Sequence, residues 1–292
     1  MIQSYRNRRS SSWIAEFDDL IRGASGGFLF GIPLLYTMEV WWIGSFAHPI
    51  RLLMAMILTF TIVFMLNRTD GFRKSSNTQA SDAVIDSIEA MAIGIICCGL
   101  ILVLLREITW QTALSETLGK LIYESMPFTL GVALANQFLG GETHSNNSNN
   151  PNQKPSDQGR LNATFADIGA TLIGAMVIAS NIAPTDEVPM LVAAVSGLWL
   201  LAVMLISLLI SYAIVFQAGF AKQSQRQQQK GIFQRPISET LMSYLVSLFA
   251  AAVMLVFFSQ LHLNDPWQMW LSYTIILGLP ATIGGAAGRL AI

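Results

Sequence analysis

Apolar stretches of bilayer-crossing length follow one another along nearly the whole 292-residue chain, separated by short polar segments. That succession constrains the fold more than any single motif, because one membrane-crossing helix uses about 20 predominantly apolar residues. Only 12% of the residues are charged, against about a quarter in soluble domains. Half the usual charge cannot coat a water-facing surface, so most of the exterior must face lipid. The chain is therefore expected to be an all-α polytopic membrane protein and not a soluble enzyme.

Eight spans are expected, near residues 24–36, 51–66, 84–105, 118–139, 167–183, 188–216, 241–258 and 267–290. The first two are short, and the sixth is long enough to tilt or project. The first apolar run starts behind Arg6, Arg8 and Arg9 and is followed by others, which predicts a retained span and not a cleaved leader. With eight spans, Arg6, Arg8, Arg9, Arg68, Arg73, Lys74, Lys154, Arg160, Lys222, Arg226, Lys230 and Arg235 fall on one side, leaving little beyond Arg51 and Arg106 on the other. Basic loops stay cytoplasmic, so both termini are expected inside. Net charge is −1, which gives no reason to expect nucleic acid as a partner.

Four segments follow: a cytoplasmic amino-terminal segment (1–23), a first four-helix repeat (24–140), a linker (141–161) and a second four-helix repeat (162–292). The linker is rich in Asn, Ser and Pro and too polar to bury a core, so it is read as a disordered cytoplasmic tract. Its sequon at Asn146 would then escape glycosylation. The repeat rests on ordered matches. A shift of 148 pairs Phe17 with Phe165, Asp19 with Asp167, Gly26 with Gly174, and Thr37-Met38-Glu39-Val40 with Thr185-Asp186-Glu187-Val188. A shift of 157 pairs Ser81-Asp82 with Ser238-Glu239 and Trp110 with Trp267. A shift of 153 pairs Pro127-Phe128-Thr129-Leu130-Gly131 with Pro280-Ala281-Thr282-Ile283-Gly284. Four helices per repeat is an even number, so the halves would be parallel, related by an axis along the membrane normal. That arrangement suits a pseudo-symmetric pore within one chain, and equally a homo-oligomer.

Ionisable residues inside a membrane are costly and point first to function. Glu39 and Glu187, with Asp186 beside the latter, occupy the outer ends of the first and fifth spans. They are either acids at the water interface or acidic rims gathering cations at a mouth. Pro184 and Pro189 suggest a break there. Glu116, Lys120 and Glu124 share one face of the fourth span. Glu124 lies roughly 9 Å inside its apolar boundary, and it is read as a structural partner of Lys120 or as an ion or proton site. Asp82, Asp86 and Glu89 line the start of the third span; Asp82 and Glu239 read as helix-start acids, while Asp86 and Glu89 go deeper and would line an inner vestibule. Asp19 and Asp167 also read as helix-start acids. Gly27, Gly31, Gly284 and Gly288 have the spacing that lets helices approach closely. Pro127 and Pro280 would kink their helices, with Thr129 and Thr282 re-satisfying freed carbonyls.

Other chemistry lacks its signature. Cys97 and Cys98 are adjacent in an apolar run and read as packing residues; His48, His144 and His262 have no metal-ligand spacing. No nucleophile elbow, phosphate loop or zinc-protease helix occurs, and no cofactor is implied. The segment 27–42, Gly-Phe-Leu-Phe-Gly-Ile-Pro-Leu-Leu-Tyr-Thr-Met-Glu-Val-Trp-Trp, together with Arg68-Thr69-Asp70-Gly71-Phe72-Arg73, resembles a family of uncharacterised bacterial integral membrane proteins. The resemblance implies a bacterial inner-membrane setting and transfers no functional residue. The expectation is an ion channel or transporter for a small cation or proton, with Glu39, Glu124, Asp186, Glu187, Asp86 and Glu89 along the path. The competing reading is a membrane scaffold or sensor that works through helix partners; an intramembrane enzyme would need a clustered nucleophile that the chain does not display.

Overall fold

A computed structural model describes residues 2–69, 80–139, 157–217 and 236–290. Its regular structure is helical: α1 Ile2–Leu35, α2 Met38–Ser45, α3 Pro49–Thr69, α4 Ala80–Leu104, α5 Leu114–Leu139, α6 Asp157–Ile182, α7 Glu187–Ala194, α8 Gly197–Tyr212, α9 Pro236–Phe257 and α10 Trp267–Leu290. A π-helical turn, Ala213–Gln217, closes α8. Most of the linker and its sequon lie outside the described residues, as do Arg73, Lys74, Lys154, Lys222, Arg226, Lys230 and Arg235. Residues 157–161, read as linker, instead open α6.

Among the described residues five helices are long and apolar enough to cross a membrane: Pro49–Asn67, Ser81–Leu104, Gly197–Phe216, Pro236–Phe257 and Trp267–Leu290. The number reaches 7 if each of two bent pairs is one span: Glu16–Leu35 with Met38–Ser45, bent by 89°, and Asp167–Ile182 with Glu187–Ala194, bent by 88°. The 26-residue α5 stays outside that count; Glu116, Lys120, Glu124, Asn136 and Gln137 make it too polar. One boundary is corrected. The expected sixth span, 188–216, is two helices, because Val195 and Ser196 adopt extended backbone between α7 and α8. Glycine at the start of α8 and the β-branched Val195 favour the interruption there.

The chain divides into two compact units, the first carrying α1 to α5 and the second α6 to α10. In the first, α5 is the hub against which α1, α2 and α3 pack. Gly26 and Gly131 bring α1 and α5 so close that a Cβ on either would strike the other's carbonyl oxygen. Gly31 makes room for the Phe128 ring, which meets Phe28 edge-on at 6.3 Å. Gly44 and Gly119 do the same for α2 and α5, and Gly94 of α4 faces Thr129. Small residues are what permits such approach when lipid supplies no hydrophobic drive between helices.

In the second unit α10 is the hub, packed by α6, α7, α8 and α9. Gly284 and Gly174 press backbone to backbone, and Gly288 meets the Ala170 carbonyl. Burial follows the same logic in both units. In α3, only 17% of the most apolar window is buried, and Leu53, Met54, Ile57 and Met65 are exposed. In α10 the corresponding figure is 67%, and polar and small residues collect in that shielded helix. Hydroxyls along the helices bond backward to carbonyls four residues earlier: Thr59 to Ala55, Ser207 to Val203, Ser247 to Ser243. That local satisfaction lets them sit in an apolar medium.

Candidate functional site

Glu124 is the most enclosed of the candidate acids, 1% exposed in the middle of α5. It is buried because α5 is the hub of its unit, and helix periodicity puts Glu116, Lys120 and Glu124 on successive turns of one face. The Lys120 ammonium lies 2.9 Å from Glu116. On the α4 side, the Cys98 thiol approaches the Leu121 carbonyl at 4.0 Å and Gly94 abuts Thr129, so α4 and α5 run antiparallel. Buried Asp86, at the start of α4, therefore lies about 15 Å along the helix axis from the level of Glu124. Glu89, one turn deeper than Asp86, is half-buried, and Asp82 is exposed.

At the other end of α5, α2 docks through Gly44 on Gly119, and exposed Glu39 stands in the first turn of α2. Depth along α5 thus runs from the α2 contact, past Glu124 and Thr129, to the level of Asp86. Thr129 is buried. These candidates occupy different depths of one unit and do not form a cluster.

The bend between α1 and α2 is held by Trp41, whose indole N–H donates to the Leu35 carbonyl at 2.6 Å. The helix end leaves that carbonyl without its next amide, and the indole takes the amide's place. The other bend, between α6 and α7, is built differently. Thr185 donates from its amide to the Ile182 carbonyl at 3.1 Å and from its hydroxyl at 2.6 Å, and Gln260 donates to the Thr185 carbonyl at 3.3 Å. Asp186 caps α7 by position but makes no side-chain cap bond and is exposed. Glu187, in the first helical turn, is 7% exposed, and its Oε2 accepts no hydrogen bond. A break does fall where the two prolines suggested one, with Pro184 inside it and Pro189 in the first turn of α7.

In α10, buried Thr282 donates to the Gly278 carbonyl at 2.6 Å. The carbonyl from which Pro280 withholds an amide is that of Ile276, so the hydroxyl serves a neighbouring turn. Two helix-start assignments are corrected. Asp19 and Asp167 lie inside α1 and α6, since both helices extend further toward the amino terminus; Asp19 is bonded to Arg22 at 3.0 Å. Glu239 does sit in the first turn of α9, but buried, against the guanidinium of Arg289.

Arg289 is a residue the sequence reading passed over. It is fully buried in the last turn of α10. Its signal was available: one cation closing the small-residue run Ile283-Gly284-Gly285-Ala286-Ala287-Gly288 needs a buried counter-charge. Asn67 was also missed. It is buried near the end of α3 and donates to the Ser87 hydroxyl at 3.0 Å, next to Asp86. The two cysteines are buried and unbridged. Among the described residues no three His, Cys, Asp or Glu side chains gather as metal ligands.

A family profile described as "Putative integral membrane protein (DUF2391)" matches residues 19–292. Neither the curated proteins nor the solved structures give a match.

Proposed function

The chain belongs to this family of integral membrane proteins, and from that premise we propose that it is an ion channel or transporter for cations, protons included, with acidic residues lining the path. The observation that carries the reading is Glu124, a carboxylate 1% exposed on the hub helix of its unit. An acid at such a depth is costly unless its charge is used or balanced. In the first unit Glu39, Glu124 and then Asp86 with Glu89 follow one another in depth, the order a cation path requires. Asp186 and Glu187 hold the place of the outer rim in the second unit.

The accompanying topology is eight spans in two parallel four-helix repeats, both termini cytoplasmic, in a bacterial inner membrane. Three observations support the repeat. Each unit runs long helix, sharp bend, short helix and three further helices. The bends, 89° and 88°, fall at positions related by the 148-residue shift. The backbone contacts Gly26–Gly131 and Gly174–Gly284 map onto each other through the independent shifts of 148 and 153. Counting α5 and each bent pair as spans gives eight.

Cation flux into liposomes tests the function. The wild type should conduct, and a Glu39→Gln, Glu124→Gln double variant should lose most of the flux. Equal flux from the two proteins removes this site assignment. Folded wild type that conducts nothing favours the scaffold or sensor reading.

A further inference from the structure

We propose that the break between α6 and α7 binds a single monovalent cation, with the Glu187 carboxylate as its anionic ligand. This deepens the cation reading above and rests on it for the class of ion.

The break is made of carbonyls whose helical donors have been removed. Pro184 has no N–H to give the Ser180 carbonyl, and Pro189 has none to give the Thr185 carbonyl. The Thr185 amide bonds to Ile182 and so departs from the α-helical pattern that would have served Asn181. Gln260 supplies a donor to the Thr185 carbonyl at 3.3 Å. The carboxyl end of α6 therefore presents backbone oxygens and the negative end of its dipole to the break. Interrupted membrane helices use such unwound carbonyls to coordinate alkali ions.

Into this setting Glu187 brings a carboxylate 7% exposed whose Oε2 accepts no hydrogen bond. Burying an ionised oxygen without compensation is expensive, and a bound cation removes the cost. Charge fixes the valence. Asp186 is exposed, leaving one buried carboxylate, so a singly charged ion neutralises the site and a divalent ion leaves a surplus positive charge in a buried place.

The first unit is the internal comparison. Its bend has the same sharpness, yet Trp41 seals the Leu35 carbonyl and Glu39 points outward, exposed. The 148-residue shift puts Pro189 where Trp41 stands. The donor that closes one break is replaced by a residue that cannot donate in the other, so the ligand site belongs to the second unit alone.

The test is thermal unfolding of the full chain in detergent, with choline chloride exchanged for NaCl or KCl at constant ionic strength. A saturable rise in Tm of roughly 3 °C or more, at a cation concentration about ten times Kd, is expected for wild type. Asp265→Asn, an acid outside the proposed path, keeps the rise and Glu187→Gln loses it. Should Glu187→Gln fail to fold, Glu187→Asp keeps the charge on a shorter arm and should respond only at higher salt. An equal response to choline, or a retained response in folded Glu187→Gln, overturns the proposal. So does dicyclohexylcarbodiimide labelling of Glu187 that neither NaCl nor KCl suppresses, because the acid then holds a proton. Binding is read without transport. Flux without a Glu187-dependent shift removes this site alone, whereas a shift without flux keeps the site and removes the transport reading.

Discussion

Arg289 and Glu239 are the clearest case of a residue-level cost met by a partner. The guanidinium is fully buried and the carboxylate nearly so, one at the end of α10 and the other at the start of α9. Removing one member of a buried pair strands the other, typically at about 3–5 kcal/mol, while replacing both by apolar residues is close to neutral. Arg289→Leu should therefore destabilise the protein by about 3–5 kcal/mol, and adding Glu239→Leu should restore most of that loss. Denaturant unfolding in detergent of the two single variants and the double variant reads the cycle directly; additive losses would mean that the two side chains are not coupled. Sequence reasoning placed Glu239 correctly at a helix start and missed only its partner. Glu239 has an adequate local explanation as an acid on a helix amino terminus, and nothing local connects it to a position fifty residues away. Helix-start acids and acids of buried pairs look alike until their partners are placed.

Elements were legible to the extent that periodicity and small residues report on packing. The lipid-facing α3 could be read as a span from its apolar run, and the small-residue spacing marked Gly31, Gly284 and Gly288 as places of close approach, though not their partners, nor Gly26, Gly44, Gly119 or Gly131. The short helices α2 and α7 were not legible: eight residues span about 12 Å, too short a run to separate from the spans beside them. The amino ends of α1 and α6 were missed for the opposite reason, since those helices continue into polar sequence where no hydrophobic stripe marks them. The glycine contacts make a sharp prediction. Gly131→Ala and Gly284→Ala each drive a Cβ into the facing glycine's carbonyl or its neighbours, and each should lower stability by about 1–3 kcal/mol, the usual cost of overpacking. Gly169→Ala, with nothing within 4 Å of its added methyl, should be neutral or slightly stabilising, because alanine favours helix over glycine. Thermal midpoints of the three variants settle it. Harmless alanines at 131 and 284 would mean that the helix pairs sit further apart than this packing requires.

At the scale of the molecule, the proposed tandem arrangement decides what every depth means. If each repeat crosses the bilayer an even number of times, Glu39 and Glu187 face the same compartment, and Asp86 belongs to the opposite one. The two bent pairs decide that number. Were the α1–α2 pair to dip in and return on the same side, the first half would cross three times and the second would enter from the opposite face, inverted; were the α6–α7 pair alone to do so, the halves would still enter from one face and only the carboxyl end would change sides. Reporter cysteines resolve the question. With Cys97 and Cys98 replaced by alanine, single cysteines at Gln3 and Ala291 should react with a membrane-impermeant maleimide only after the cytoplasmic side is opened. A third cysteine at Asn264, in the short segment between α9 and α10, should react in intact cells. Labelling of the two ends from opposite sides would make the Gly26–Gly131 and Gly174–Gly284 correspondence a coincidence of helix packing.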